Sequence, residues 1–309
     1  RFASPNFDAG PFDVEAVKAW APVDQYTGGA EHAVMHLLYA RFFTKALRDI
    51  GLVNFDEPFI RLFSQGHIIA GQQKMSKSRG NVVSPDQYVS TIGADVVRCY
   101  LMFLGPWEQG GDWSDTGLNG MARWMNRVWD LVHLDSSVLD SVSNDSSANR
   151  DLTRVVHKTI RRVTNDFERF KFNTALAALM ELTNALSAAR KAGMAGSEVY
   201  AEGVETLLKL MAPVTPHISE ELWTRLGRPY SVHQQSWPVA DADAAAAEEI
   251  TLVLQVNGKV RDRITVPADI SADLAQSRAL TNKHVQRHLN GREPKKVIYV
   301  PGRLVNVVG

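Results

Sequence analysis

Hydrophobic positions along the chain change period twice, and each change marks a different kind of element. Between Glu31 and Ile50 the residues Val34, Leu37, Leu38, Phe42 and Leu47 recur at helical spacing, which predicts an amphipathic helix with Gly51 placed to end it. Residues 1 to about 30 carry no such period. They are rich in Pro, Gly and aromatics, read as loop, and finish in the turn signal Thr27-Gly28-Gly29. Phe59 to Ala70 predicts a strand entering a loop, and Pro85 to about Leu104 a second helix with Asp86 in its first turn. These pieces fit the βα layout of an open parallel sheet.

After Pro106 and Gly110-Gly111-Asp112-Trp113 the pattern becomes one of long amphipathic helices, over 115–135, 149–170, 173–191, 197–211 and 216–226. Ser141 to Ser147 separates the first two, Gly193 and Gly196 the third and fourth, and Pro213 and Pro216 bracket a sharp turn. Consecutive helices on short links predict an antiparallel bundle. A second change comes at Asp241 to Ala247, an acidic and alanine stretch that reads as linker or short helix. Beyond it, Thr251–Val256 and Val260–Val266 flank Asn257-Gly258, the strongest short-range hairpin signal. A helix from about Ser271 to Leu289 and two strands, Lys296–Val300 and Leu304–Val308, complete a small α+β domain. The expected fold class is therefore multidomain, α/β then α then α+β, divided as 1–110, 111–240 and 248–309.

A length of 309 residues suits two or three domains, and 45% hydrophobic with 22% charged residues excludes a disordered chain. Lys+Arg and Asp+Glu both total 34, so overall charge says nothing about partners. Its placement does: residues 250–309 hold ten Lys/Arg against four Asp/Glu, a net +6. A compact basic domain is what a polyanion-binding module needs. The single cysteine, Cys99, allows neither an intrachain disulfide nor a Cys-based zinc site and fits a reducing cytoplasm. No apolar run reaches the roughly 18 to 20 residues of a membrane span. The opening Arg1-Phe2-Ala3-Ser4-Pro5 lacks Met and signal-peptide character and reads as the beginning of a fragment.

Chemistry concentrates in Lys74-Met75-Ser76-Lys77-Ser78-Arg79-Gly80-Asn81, a small polar loop between a predicted strand and a predicted helix. Lys74 and Lys77, three apart, can face one polyanion, Ser76 and Ser78 add hydroxyl donors, and Gly80 keeps the backbone free to bend. Lysine supplies compact, mobile charge able to follow negative charge as it moves between phosphate oxygens. His32 and His36, four apart, are expected on one face of the first helix; no third ligand or cysteine accompanies them, and no metal site is expected.

The string Lys74 to Ser78 matches letter for letter the KMSKS signature of class I aminoacyl-tRNA synthetases, and Gly80-Asn81-Val82-Val83-Ser84-Pro85 with Gly93-Ala94-Asp95 and Arg98 resembles the stretch downstream of that loop throughout the class. Tyr26 to Phe42, with its Glu31-His32-Ala33-x-x-His36-Leu37-Leu38-Tyr39 pattern, resembles the leucyl-tRNA synthetases in particular. The resemblance runs on through Gln65-Gly66, His157-Lys158-Thr159-Ile160, Phe172-Asn173-Thr174-Ala175 and Gln255 to Arg261, and ends in Lys296 to Asn306, so it covers essentially the whole chain.

The resemblance implies the C-terminal half of a Rossmann-like class I nucleotide-binding fold, an anticodon-binding-like bundle and a tRNA-binding C-terminal domain. It implies ligation of leucine to tRNA(Leu) through a leucyl-adenylate, with ATP and Mg2+, in a cytoplasmic and monomeric enzyme. Lys74 and Lys77 would be catalytic; Met75, Ser76, Ser78, Gly29, Glu31, His32, Gln65 and the Ile68 backbone would bind ATP; Tyr26 and His36 would form the leucine pocket. Lys259, Arg261, Arg292, Lys295 and Lys296 are the expected tRNA contacts. The His-Ile-Gly-His signature of the class is absent; His67-Ile68-Ile69-Ala70-Gly71 resembles it only superficially and reads as strand. The insertion that some relatives carry before the lysine loop is absent or minimal. Without the signature the fragment is expected to be inactive in amino-acid activation, and a stand-alone tRNA-binding module or structural cofactor stays open as the alternative.

Overall fold

The structure, a computed structural model, describes residues 1–133, 146–245, 249–267, 270–289, 292 and 294–309. These gather into two compact units, Arg1–Val239 and Ala240–Gly309.

The first unit opens with a helix that the sequence reading places in a loop. Asp13 caps α1 (Val14–Trp20), its carboxylate accepting from the Glu15 and Ala16 N–H groups, and the chain then enters β1 (Val23–Gly28). β1 pairs in parallel with β2 (Phe59–Ser64), Gly28 opposite Ser64. Between them the expected helix begins five residues late, as α2 (His36–Asp49). Ala30–Ala33 forms a separate 3-10 turn, and Met35, at φ −104° and ψ −101°, breaks the continuity. The strand expected over Phe59–Ala70 is two strands in different sheets. β3 (His67–Ala70) pairs in parallel with β5 (Gly110–Asp112) and antiparallel with β4 (Gln73–Lys74). The helix expected from Pro85 is likewise two, α3 (Asp86–Ile92) and α4 (Ala94–Phe103), parted at Gly93 where φ is +90°.

The bundle matches its predicted periodicity closely, as α5 (Asp115–Val132), α6 (Ser146–Glu168), α7 (Phe172–Lys191), α8 (Glu198–Met211) and α9 (Pro216–Arg225). The break expected at Ser141–Ser147 lies outside the described residues up to 145, and α6 already includes Ser146 and Ser147. Leu118, Trp124, Val128, Val163, Leu176, Leu182, Leu208 and Met211 are all but inaccessible. Inside this apolar interior the Trp124 indole donates to Thr183 Oγ1 at 3.0 Å, so its one polar atom is satisfied. An aromatic cluster fastens β2 to the bundle: Phe63 stacks on Phe170 at 4.9 Å, Phe170 on Trp107 at 5.5 Å, and Trp107 meets Phe172 edge-on at 4.7 Å.

Burial is uneven along this unit. Among residues 1–94 only Gly28 and Thr44 are buried, whereas the interior proper begins at Asp95. Val34, Met35, Leu38, Tyr39, Phe42 and Phe43 stand at helical spacing on and just before α2, each more than half exposed. Ile60 and Leu62, alternate residues of β2, are exposed to a similar degree.

The second unit is a four-stranded sheet, β6 (Glu249–Val256), β7 (Lys259–Pro267), β8 (Lys296–Val300) and β9 (Leu304–Val308), in the order β7-β6-β9-β8 with β6 and β9 parallel. The turn between β6 and β7 is Asn257-Gly258 with φ of +51° and +77°, the backbone that a two-residue hairpin of this kind requires. The expected single helix is α10 (Ala272–Thr281) and α11 (Lys283–Leu289), separated at Asn282. Leu252, Leu254, Val256, Val305 and Val307 pack with Ala275, Ala279, Val285 and Leu289 in its core.

Candidate active site

The turn after β1 and the segment after β2 both leave the carboxyl ends of parallel strands, where open α/β sheets place ligands. Gly29 starts the 3-10 turn, and the Glu31 carboxylate folds back over it: a Cβ on Gly29 would lie 2.4 Å from Glu31 Oε2. Gly28 meets a similar limit, since its Cβ would be 2.8 Å from the Tyr26 ring. Glu31's own main-chain N–H holds the carboxyl below the usual range, against partial desolvation, and the charges of His67, Lys74 and His32 pull the same way. His67 Nε2 lies 3.8 Å from Glu31 Oε2. Two polar atoms, His32 Nδ1 and Gln65 Oε1, are shielded from solvent yet have no hydrogen-bond partner in the protein.

Lys74 ends β4, the second strand of the hairpin that His67 begins. The β3–β4 hairpin turns at Gly71 and Gln72, with φ of +59° and +61°, and pairs Ile69 with Lys74. No inserted domain intervenes. Asp112 pins the turn from the neighbouring strand, its carboxylate accepting from the Gln72 N–H at 3.0 Å. Ile68, on β3, pairs with Gly111 of β5. Beyond Lys74, Met75 and Ser76 are partly covered, while Lys77, Ser78 and Arg79 form an exposed 3-10 turn closed by Gly80 at φ +67°. The Ser76 and Ser78 hydroxyls bond each other at 2.8 Å, and neither lysine has an ion-pair partner among the described residues.

The Tyr26 and His36 rings are stacked at 5.4 Å and 13°. His32 and His36 do not share a continuous helix, because Met35 interrupts it; His36 is instead the first residue of α2. Phe59, which sequence reading misses, lies 4.6 Å from Tyr26 and 6.0 Å from His36. Sequence reading also misses the part played by His67, which it places only as strand, and by Asn81, whose side chain bonds the loop at Lys74 and Ser76.

In the second unit Lys259, Lys295 and Lys296 lie at one end of the sheet. Lys259 pairs with Val256, which pairs with Val307, while Lys296 is opposite Val308 and the Lys295 N–H donates to the Val308 carbonyl. Three strand spacings of about 4.8 Å put the Lys259 and Lys296 backbones roughly 14 Å apart. Arg261 is the extra residue of a bulge, since Leu254 pairs with Asp262 and Gln255 with Val260, and its Nε is buried without a partner. Arg292, Lys295 and Lys296 are exposed. Among the described residues no three His, Cys, Asp or Glu gather as a metal site, and no helix is long and apolar enough to cross a membrane. Cys99 is buried, which pushes its thiol well up.

The class I tRNA synthetases for I, L, M and V match residues 11–113, and the anticodon-binding domain of tRNA ligases matches residues 149–276. A leucine–tRNA ligase of Dehalococcoides mccartyi is 53% identical over 308 residues, covering 100% of this chain and 38% of the relative. One of Rubrobacter xylanophilus is 50% identical over 309 residues, covering 37% of the relative. The chain thus spans little more than a third of the curated relatives it matches. A crystal structure from Agrobacterium radiobacter, described as a LeuRS-tRNA-LeuAMS ternary complex, superposes with a TM-score of 0.85 at 36% identity, over 97% of this chain and 40% of that one.

Proposed function

The chain is a homologue, along its whole length, of class I leucine–tRNA ligases, and from that kinship we propose that it supplies the lysine-loop half of the adenylate-forming site and the tRNA-binding parts of such a ligase. The observation that carries the reading is that the Glu31 carboxylate, folded over Gly29, lies 3.8 Å from His67 at the start of the β3–β4 hairpin that ends in Lys74.

In this reading an ATP molecule lies with its sugar and base against that turn and its phosphates toward the loop. Glu31, kept ionised, accepts the ribose hydroxyls, and Gly29 lets the nucleoside approach the main chain. Gln65 and the Ile68 backbone hold the adenine, and His32 faces the adenylate. The unpartnered His32 Nδ1 and Gln65 Oε1 fit this, because each is a buried polar atom with hydrogen-bonding capacity to give. Leucine's side chain rests against Tyr26 and His36, with its carboxylate attacking the α-phosphorus as the bond to pyrophosphate breaks. Lys74 and Lys77, with Met75, Ser76 and Ser78 shaping their loop, stabilise the charge gathering on the leaving phosphates. Magnesium would be held largely by phosphate oxygens and water, which suits a site where no three His, Cys, Asp or Glu gather among the described residues, and would neutralise phosphate charge.

The sparse burial of residues 1–94 supports a working unit larger than this chain, completed by other segments of the ligase. We divide the roles as nucleotide site over 1–110, tRNA-binding bundle over 111–240 and basic tRNA-binding domain over 248–309. Lys259, Arg261, Arg292, Lys295 and Lys296 contact the tRNA backbone, and the ligase works as a cytoplasmic monomer. A stand-alone tRNA binder is not favoured, since it has no use for the group around Glu31.

Leucine-dependent ATP–pyrophosphate exchange tests the reading. A complete ligase carrying this segment exchanges, its Lys77→Ala variant loses roughly 100-fold in kcat, and the 309-residue chain alone is inert. Robust exchange by the chain alone, or an unimpaired Lys77→Ala ligase, overturns it.

A further inference from the structure

We propose that Asn81 is a positioning residue for the two lysines, acting as a clamp that fixes the backbone from which both ammonium groups extend; the inference rests on the lysine loop being the phosphate-facing element proposed above. One carboxamide holds the loop at two points. Its Oδ1 accepts the Ser76 N–H at 2.9 Å, and its Nδ2 donates to the Lys74 carbonyl at 3.3 Å. Between these anchors the chain is closed by two further bonds, Arg79 N–H to the Ser76 carbonyl at 3.1 Å and Gly80 N–H to the Lys77 carbonyl at 3.3 Å. Gly80 at φ +67° reverses the chain so that residue 81 can reach back to 74 and 76.

The chemistry explains why an amide stands there. Lys74 and Ser76 present an acceptor and a donor on either side of Met75, and a neutral carboxamide offers one of each at the tip of a short side chain. A carboxylate would satisfy the Ser76 N–H but face the Lys74 carbonyl with a second acceptor. Alanine would satisfy neither. Met75 is the one apolar residue between Lys74 and Gly80, so without the clamp little fixes the two Cα positions that carry the ammonium groups. Charge placed ahead of time stabilises a transition state more than charge that must be recruited during the reaction. Asn81 touches no reacting atom in this scheme and works through the backbone at 74 to 77.

The test compares Asn81→Ala with Lys77→Ala in a complete leucine–tRNA ligase carrying this segment. Leucine-dependent ATP–pyrophosphate exchange is read as separate kcat and KM values, with melting temperature and amide hydrogen exchange at Ser76 measured alongside. The expected result for Asn81→Ala is a fall in kcat of about 10- to 100-fold, the range a misplacement near 1 Å produces, with leucine KM within about twofold and Ser76 exchange accelerated. If Lys77→Ala cripples exchange while Asn81→Ala keeps kcat within about twofold, the clamp is refuted and the loop reading stands. A loss explained by a lowered melting temperature, with kcat per folded molecule unchanged, also refutes it. Exchange that survives Lys77→Ala overturns the loop reading itself and the clamp with it.

Discussion

Asp95 and Ile218 lie 123 residues apart in sequence and share one hydrogen bond: the buried Asp95 carboxylate accepts the Ile218 N–H, in the first turn of α9, at 2.8 Å. The bond ties α4, the second helix after the lysine loop, to the last helix of the bundle, and Arg98 pairs with the same carboxylate at 3.4 Å. Asp95→Ala leaves an N–H of that helix end without its acceptor, at an expected cost of about 1 to 3 kcal/mol. Urea unfolding should show a lowered midpoint with an unchanged slope, and Asp95→Asn, which keeps an oxygen in place, should lose less.

Gly110 combines two constraints that most glycines here meet singly. Its φ is +72°, and a Cβ would sit 2.1 Å from the His67 carbonyl oxygen, in the backbone of β3. Gly51 shares the positive φ, at +79°, but has open space around it. Gly110→Ala should therefore cost roughly 3 kcal/mol or more, against about 1 kcal/mol for Gly51→Ala. Thermal melts of the two variants side by side check the difference, and near-equal losses would contradict the packing of β5 on β3.

Glu57 receives two bonds from the Arg41 guanidinium, at 2.7 and 2.8 Å, and one from the Lys45 ammonium at 3.1 Å. These lower its pKa from 4.5 to about 2. A depressed carboxyl contributes stability that is fully present above the unfolded value and is lost as pH falls through the folded one. The contribution of this solvent-exposed pair should thus fade between about pH 4.5 and pH 2. Glu57→Gln should flatten the stability profile in that window and leave its slope near neutrality unchanged, as chemical denaturation at several pH values would reveal.

Reversing Lys295 and Lys296 to Glu should weaken tRNA binding more at about 50 mM than at about 300 mM salt. Exposed charges act through counterion release, which shrinks as salt rises. Filter binding at a series of salt concentrations reads the slope; an unaltered affinity throughout would remove that end of the sheet from the tRNA contact.

The bundle and the second unit's hairpin are legible in the sequence because their signals are local. Apolar residues at helical spacing need only their own helix to be recognised, and Asn257-Gly258 are residue types that tolerate the positive φ their turn requires. α1 and β1 escape notice although Asp13 is an ordinary helix cap, because the surrounding Pro, Gly and aromatics outweigh one turn of pattern. The helix starting at His36 rather than Glu31 is not legible either, since nothing in Val34-Met35 announces a break. The lysine loop can be read from its own letters. The meeting of Glu31 with His67, and of Tyr26 with Phe59, cannot, because strand pairing between segments more than 30 residues apart brings them together.

The row of Val34, Met35, Leu38, Tyr39, Phe42 and Phe43 has a practical sequel. Hydrocarbon displayed in that quantity is poorly tolerated by water, so the purified polypeptide should brighten a dye such as ANS while fully folded and clump when sulfate is added. Replacing Phe42 and Phe43 with Lys should quench the dye and keep the preparation clear.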